Sequence, residues 1–281
     1  MSTFEVSRAT PEEWALVGGW AAAEGWNPGA SDAECFFAQD PDGFFLGRVA
    51  GEREPVSAIS VVTYDDRYAS LGFYLVRPDV RGRGYGLATW RAALAHAGDR
   101  TVGLDGVPEQ QDNYRRSGFA LEHRTARYVG RVAPRGPGAG VVPAAEAGLA
   151  ALAAYDGGCH PADRPRFLER WLTAPGHRAL ARVVDGRVTG YGVIRPARDE
   201  ARVGPLFADG PGDAEALLDA LVDGFGAERI AVDVPEPNAA AVAMAVARGL
   251  EPSFATARMY TGPVRPFARE RVYGITTLEL G

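Results

Sequence analysis

The stretch FYLVRPDVRGRGYGLATWRAAL, residues 73–94, decides the fold of this chain. It opens within a continuously apolar and aromatic run, which is typical of a strand covered on both faces, and Pro78 ends that strand because it has no N–H to donate. Gly82, Gly84 and Gly86 then turn the chain. Because glycines lack Cβ atoms, their backbone N–H groups can converge at the positive N-terminal end of the following helix. The order of strand, glycine turn and helix predicts a phosphate-binding cradle.

The spacing of the glycines separates this cradle from two other phosphate-binding motifs. It is neither the dinucleotide pattern G-x-G-x-x-G nor a Walker loop, since no Lys-Ser pair follows. The pattern Arg-Gly-x-Gly-x-Gly after a strand ending in Val-x-Pro instead resembles the pyrophosphate loop of the GNAT acyltransferases. That resemblance implies acetyl-CoA as co-substrate, and it implies that the cofactor-binding residues are Leu75, Val76, Arg81, Gly82, Arg83, Gly84, Tyr85, Gly86, Leu87 and Asn113.

Composition and charge exclude several classes of function. The chain has 281 residues, 46% of them hydrophobic, which is enough for one large or two ordinary domains. Its net charge of −6 argues against nucleic-acid or acidic-membrane partners, which need a basic field. Two cysteines far apart, no signal-peptide core and no apolar run of membrane length lead us to expect a cytoplasmic protein, monomeric or homodimeric, without a bound metal.

The segment RVAPRGPGAG at residues 131–140 is rich in Pro and Gly, which predicts a linker. It would separate two domains, residues 1–130 and 141–281. The first half is predicted to hold strands at 4–9, 44–49, 57–64, 71–76, 101–104 and 119–129, and helices at 11–23, 31–39, 85–96 and 109–117. The second half repeats this order, with helices at 144–155, 163–172, 213–225 and 239–248, and strands at 179–184, 188–195, 201–207, 230–234 and 254–260. The fold class is therefore α/β, with a mixed sheet of the α+β kind.

Several strings narrow the resemblance to the two-domain, or tandem, YitH-like family of GNAT-superfamily N-acetyltransferases. They are EGWNPG (24–29), VGLDGVPEQQDNYRRSGF (102–119), GYGVIRP (190–196), VGPLFAD (203–209), DVPEPN (233–238), ARMYTG (257–262) and TTLELG (276–281). The resemblance implies tandem GNAT folds. It also implies that the fourth and fifth strands splay, so that a backbone N–H near Leu75 or Val76 polarises the thioester carbonyl.

Two residues are candidates for proton transfer. Tyr114 stands four residues before Gly118-Phe119, the spacing at which GNAT enzymes place the tyrosine that protonates the departing sulfur. Asp105 ends the fifth strand, where it either binds or deprotonates the amine or serves the Asp-Gly turn. The asparagine usual in the family about two turns before the tyrosine is replaced here by Val107-Pro108, and either Asn113 or Gln111 is available instead.

The acceptor side is assigned by the same resemblance. Trp26, Asn27, Tyr64 and Asp65 lie on loops or strand ends that form this side in GNAT folds, and aromatics beside carboxylates suit a cation. A partly buried aromatic among solvated acids is the alternative interpretation of each residue.

The second half departs from the catalytic pattern. ADGPGDAEALL replaces Arg-Gly-x-Gly, so that Asp209 and Asp213 stand where a pyrophosphate would bind, and Asp213 is placed to cap the helix. Ala245 occupies the position that corresponds to Tyr114. We therefore expect an active first copy and a degenerate second one. The expected function is an acetyl-CoA-dependent N-acetyltransferase acting on a small amine in a ternary complex; the alternatives are an acyl-CoA sensor or assembly subunit without turnover, and an acyltransferase using another acyl donor.

Overall fold

The computed structural model describes residues 3–136, 138 and 140–281, so that Pro137 and Ala139 of the predicted linker lie outside the described residues. The first helix shows why these elements form where they do. Thr10 accepts a hydrogen bond from the backbone of Glu13, whose side chain bonds back to Thr10, and Pro11 opens the helix. The elements of this half are β1 (Phe4–Arg8), α1 (Pro11–Ala23), α2 (Asp32–Gln39), β2 (Phe44–Val49), β3 (Ser57–Thr63), β4 (Tyr68–Val76), α3 (Tyr85–Ala97), β5 (Thr101–Gly106), α4 (Gln111–Arg116) and β6 (Ala120–Gly130).

The second half repeats the order of the first but differs locally from the sequence prediction, which has no strand at Val141–Pro143 or Val272–Gly274. The single helix predicted over 144–155 is wrong, because Gly148 at φ +83° separates two shorter helices. The predicted cap by Asp213 is also wrong: Gly210 is the N-cap of its helix, which has no side-chain cap. The elements are β7 (Val141–Pro143), α5 (Ala144–Ala147), α6 (Leu149–Gly157), α7 (Pro165–Thr173), β8 (Arg178–Val184), β9 (Arg187–Arg195), β10 (Ala201–Ala208), α8 (Pro211–Val222), β11 (Ile230–Pro235), α9 (Ala239–Ala247), β12 (Glu251–Tyr260) and β13 (Val272–Gly274).

One mixed sheet runs through both halves, in the order β1-β2-β3-β4-β5-β12-β6-β11-β10-β9-β8-β7, with β13 paired to β10. The last long strands of the two halves are exchanged. β12 lies between β5 and β6, while β6 pairs with β11 of the second half. Each half is therefore closed by a strand from the other, and the sheet itself joins them.

The hydrophobic core also crosses from one half to the other. Phe36 of α2 stacks on Phe167 and Trp171 of α7, with ring centroids 6.2 Å apart in both pairs. Arg195 of β9 and Asp32 of α2 form a fully buried ion pair at 2.7 Å beside these rings. A buried pair of this kind is costly to break by removing one partner, so it fixes the register between the halves.

Strands β4 and β5 run parallel and then separate. Their pairing begins at Tyr68 with Thr101 and ends at Leu71 with Leu104, although both strands continue. Phe73 at φ +48° marks an irregularity in β4 just beyond the last pair. The strands open into a wedge at this point.

Strands β10 and β11 separate in the same way after Val203 and Val232, but this second wedge is filled. β13 pairs with β10 inside it, and the N–H of Ile275 donates to the Asp233 carbonyl of β11 at 2.9 Å. The chain then continues from residue 276 towards the first wedge.

Candidate active site

A cavity of about 500 Å³ occupies the wedge between β4 and β5 and continues to the N-terminus of α3. Both halves of the chain line it. The first half contributes Glu24, Trp26, residues 71–76, Val80, Arg81, Gly82, Gly84, Tyr85, Gly86, Leu87, residues 104–107, Gln110 and Tyr114, and the second contributes Phe254, Thr256, Leu278 and Glu279.

The glycine turn forms one end of this cavity. Gly82 and Gly84 have φ of +80° and +84°, a conformation that glycine adopts readily. A Cβ on either would meet no protein atom within 4 Å. Because both glycines line the cavity, a side chain there would occupy the space that a ligand needs. Gly84 is the N-cap of α3 and has no side chain that could cap it, so the first N–H groups of this helix are available to an anion.

The arginines of the loop differ in placement. Arg81 lines the cavity, donates from Nε to the Val76 carbonyl at 3.0 Å and pairs with Glu24. Arg83 is not among the lining residues; its Nη2 lies 3.5 Å from the Asp79 carbonyl. Arg81 therefore fastens the loop to the end of β4.

The exposed edge of β4 carries the peptide groups that face the wedge. The backbone N–H of Arg77 donates to the carbonyl of Val56, next to β3, with an N···O distance of 2.9 Å. Because successive residues of a strand direct their peptide groups to opposite edges, Val76 directs its N–H and carbonyl towards the edge that β5 has left. The carbonyl of Val76 is the one that accepts from Arg81, which agrees with this direction. Leu75 directs its peptide groups to β3, with Ala58 opposite.

Tyr114 lies in the wall of the cavity, on α4. Its ring stacks on Trp90 with centroids 5.7 Å apart, and a Cβ on Gly106 would overlap it. Burial raises the pKa of the Tyr114 hydroxyl to about 12. The phenol is therefore protonated at neutral pH, as a proton donor to a thiolate must be.

Asp105 also lines the cavity, but it has a charged partner. Arg258 stands directly opposite on β12, and the two side chains pair at 2.5 Å. Thr256 donates to the same carboxylate at 3.3 Å. Burial raises the pKa of Asp105, while the charge of Arg258 opposes that rise. Much of the negative charge of Asp105 is thereby balanced by the exchanged strand.

The predicted acceptor residues separate into two groups. Trp26 lines the cavity. Asn27, Tyr64 and Asp65 do not line it: Asn27 accepts from the Arg198 N–H at 2.9 Å, Tyr64 donates to the Leu280 carbonyl at 2.9 Å, and Asp65 caps its own turn. Asn113, predicted on the cofactor side, is exposed and donates to Gln110, which does line the cavity.

Four residues of the second half are part of the wall and were not among the predicted site residues. They are Phe254, Thr256, Leu278 and Glu279. The signal for the last two was the string TTLELG, an acid within an apolar segment, but only the folded chain shows where that segment lies. A Cβ on Gly72 would overlap the Glu279 carbonyl, so a glycine in β4 permits this close approach.

Comparison with known proteins places this geometry in a family. The profile described as "Acetyltransferase (GNAT) family" matches residues 8–119, and that described as "Acetyltransferase (GNAT) domain" matches residues 152–274. A protein of Pseudoalteromonas sp. (strain SANK 73390), "Holothin acyltransferase", is 35% identical over 99% of this chain and 95% of its own length. The chain is a tandem GNAT acyltransferase.

Solved structures agree with the family assignment. The structure of a putative acetyltransferase from Pyrococcus horikoshii superposes with a TM-score of 0.84 at 25% identity, covering 99% of this chain and 96% of that one. A tandem GNAT protein from the clavulanic acid biosynthesis pathway shares the fold, with a TM-score of 0.64 at 18% identity and coverage of 93% and 99%. The mixed α/β fold with tandem GNAT domains is therefore confirmed, and the protein is an enzyme of the acyltransferase class.

Acyl-CoA is the co-substrate of this fold, and the residues present fit it. The open glycine turn and the free N–H groups of α3 suit a pyrophosphate, and the unpaired edge of β4 suits an extended amide chain. Among the described residues no group of three or more His, Cys, Asp or Glu side chains is arranged to hold a metal ion. None of the described helices is long and apolar enough to cross a bilayer.

Proposed function

We propose that this enzyme transfers the acetyl group of acetyl-CoA directly to the amine of a small molecule, in a ternary complex formed in the cavity of the first half. The observation that carries the proposal is the wedge between β4 and β5. It joins the glycine turn, the free edge of β4 and Tyr114 in a single cavity.

Different groups in the cavity bind the cofactor, orient the thioester and donate the proton. The N–H groups at the start of α3 bind the pyrophosphate, and the Val76 peptide orients the chain that carries the thioester. Tyr114 gives a proton to the departing sulfur. The acceptor binds on the side of Trp26 and the second-half wall, which line the same cavity as the Val76 end of β4.

The experiment begins with binding. Calorimetric titration of the full chain with acetyl-CoA is expected to give one site per chain, because β13 fills the second wedge. Mass spectrometry of a panel of amines incubated with enzyme and acetyl-CoA then identifies the acceptor; the panel includes holothin because the 35% identical relative is named for it. Two sites per chain would contradict the assignment of catalysis to the first half alone.

A second candidate keeps the chemistry and changes the donor. The relative is named an acyltransferase rather than an acetyltransferase, which favours testing succinyl-CoA and longer acyl-CoA esters. Competition among these esters for the bound site ranks the donors. Tight binding of acetyl-CoA with neither amine acetylation nor background hydrolysis would favour the acyl-CoA sensor instead.

A further inference from the structure

A buried acid without a partner stands in the wall that the second half adds to the cavity. Glu279 lines the cavity and is only 4% exposed. Its Oε2 is buried and has no hydrogen-bond partner among the described residues. Leaving a buried carboxylate oxygen unpaired is costly, so such an oxygen in a ligand cavity indicates that the ligand supplies the partner.

The charged groups around Glu279 form ion pairs with one another, and only the Nε of Arg202 is also buried without a partner among the described residues. Arg127 of β6 and Arg202 of β10 both pair with Asp233 of β11, and Asp32 of α2 pairs with Arg195. Arg202 and Arg127 attract Glu279 only from a longer distance, and Asp32 and Asp233 repel it. Burial is the largest effect and raises the pKa of Glu279 above its ordinary value.

The backbone around Glu279 holds the acid in place. Thr277 accepts the N–H of Leu280 at 2.9 Å, and Tyr64 donates to the Leu280 carbonyl. Arg164, itself fully buried against Asp156, donates to the hydroxyl of Thr276 at 2.7 Å. A group positioned by the first half and the second half together needs no reordering when a ligand arrives.

Most of the remaining wall is apolar or aromatic; its one hydroxyl, that of Thr256, donates to Asp105, and the cavity acid Glu24 pairs with Arg81. Trp26, Phe254 and Leu278 line the same cavity as Glu279, and Asp105, the other acid at this end, is balanced by Arg258. A flat apolar group with an amine at its end would bury its body against these side chains and direct its N–H bonds to the unpaired carboxylate.

We propose that Glu279 binds the amine of the acceptor and accepts its proton during acyl transfer, and that the acceptor carries this amine on a flat apolar group. The inference rests on the proposed function and adds to it the base and the acceptor class. The acceptor reacts as the neutral amine, its ammonium form having first lost a proton to solvent. The amine nitrogen forms the new C–N bond and yields one proton to Glu279, the C–S bond breaks with its electron pair on sulfur, and Tyr114 donates one proton to that sulfur. Solvent returns a proton from Glu279 to Tyr114, so protons and charge balance over one turnover.

Benzylamine is the minimal probe of this site, and the variant is Glu279→Gln in the full chain. Titrated into the CoA-bound protein at pH 8, benzylamine is expected to bind the variant at least about tenfold more weakly than the wild type, since one charge-assisted hydrogen bond is lost. Acetylation of benzylamine should fall by about 100-fold or more, as for loss of a general base. Protonation of benzylamine slows both proteins on acidification, and the variant should lose only the additional decline that titration of Glu279 gives the wild type. Glu279→Asp keeps a carboxylate and should retain that acid decline.

The controls separate this role from a structural one and from the proposed function. Glu251→Gln, exposed at the start of β12, should match the wild type in every measurement. Acetyl-CoA affinity of Glu279→Gln should be unchanged, and its melting temperature should be no lower than that of the wild type, because the amide removes a buried unpaired charge. Benzylamine that fails to bind the wild type, or that binds and reacts equally with Glu279→Gln, would overturn the inference and leave the proposed function standing. A wild type that does not bind acetyl-CoA would contradict the proposed function, while loss of benzylamine binding in Glu279→Gln would still support the amine site.

Discussion

The two wedges of this sheet arise from the same strand arrangement, but the first is open and the second is filled by the chain itself. In the first half β4 and β5 separate beyond Leu71 and Leu104, and a cavity of about 500 Å³ fills the opening. In the second half β10 and β11 separate beyond Val203 and Val232, and β13 occupies the opening. Separation of the strands is therefore a property of the fold, whereas an open wedge is a property of one copy.

The turns after the wedges differ in charge and in hydrogen-bond donors. The first turn ends in Gly84 and leads into α3, whose early residues keep their N–H groups. The second leads into Pro211, which has no N–H at the first helical position. It also carries Asp209 and Asp213, which pair with arginines of the same half. A diphosphate would meet fewer donors and more negative charge at the second turn.

One segment closes the second wedge and walls the first. Residues 272–275 lie between β10 and β11, and residues 276–281 then reach β4, where the Glu279 carbonyl lies against Gly72. The degenerate copy thus contributes to the active one.

The largest expected effect tests the difference between the two turns. Gly84→Val would place a β-branched side chain at φ +84°, in the space of the pyrophosphate, and should weaken acetyl-CoA binding by about 1000-fold through the loss of charge-assisted N–H contacts. Calorimetry measures the affinity, with circular dichroism as the check on folding. Gly210→Ala, at the N-cap of α8, should bind acetyl-CoA like the wild type. Unchanged affinity in a folded Gly84→Val protein would show that the glycine turn does not bind the pyrophosphate of acetyl-CoA.

The next effect tests where chemistry takes place. Tyr114→Phe removes the proton donor and should lower kcat by roughly 10- to 1000-fold, with acetyl-CoA affinity nearly intact, as expected for one general acid. Tyr273→Phe, in the β13 that fills the second wedge, is the matched control and should leave kcat unchanged. Full turnover by Tyr114→Phe would show that its ring only packs against Trp90.

Local signals explain what the sequence could predict. Three signals act through neighbouring residues: the capping box at Thr10, the glycine turn, and the tight turn Asp185-Gly186 that joins β8 to β9. Both halves and the cradle could therefore be predicted from pattern alone. The strand exchange could not. β6 and β12 are both long strands, exposed over their N-terminal residues and buried over their C-terminal residues. Either strand therefore has a pattern that suits the closing position of either half of the sheet.

The acceptor wall escaped prediction for a related reason. It depends on a close approach between Gly72 and Glu279, which are about 200 residues apart in the chain and are joined only by tertiary packing. Tyr64 and Asn27 were predicted beside the acceptor because of their loops, yet their polar atoms bind the 276–281 segment and the Arg198 loop. Sequence places such groups on particular loops, but it does not show which partner takes their hydrogen bonds.

A smaller effect compares the two close approaches of the 272–281 segment. Gly72→Ala would push the Glu279 carbonyl away from β4 and should lower kcat/KM for the acceptor about tenfold, by displacing the wall of the open wedge. Gly204→Ala would overlap the Thr276 and Ile275 carbonyls in the filled wedge and should cost about 1–3 kcal/mol of unfolding free energy, as overpacking does. Steady-state kinetics and urea unfolding distinguish the two outcomes. Equal kinetic loss in both variants would mean that the segment moves as one unit.

The smallest effect concerns the space left beside the filled wedge, about 40 Å³ lined in part by His123, Phe207 and Ile275. Burial, with help from Arg258 and Arg269, lowers the pKa of His123 to about 3. Between that value and the unfolded pKa near 6.5, the unfolded chain binds a proton that the folded chain does not, so stability falls as pH falls through this window.

His123→Leu removes this contribution. Urea unfolding at pH 7 and pH 5 should show that the wild type loses about 1–2 kcal/mol more than the variant between the two pH values. Burial also lowers the pKa values of His160 and His177, which remain in the variant, so its pH dependence is reduced and not abolished. Equal losses in the two proteins would show that His123 reaches solvent and that the second wedge is less tightly filled than its packing indicates. A reduced loss in the variant would show that the filled wedge is dry enough to hold an imidazole neutral, in contrast to the open wedge, whose cavity is lined by the charged residues Arg81, Asp105 and Glu279.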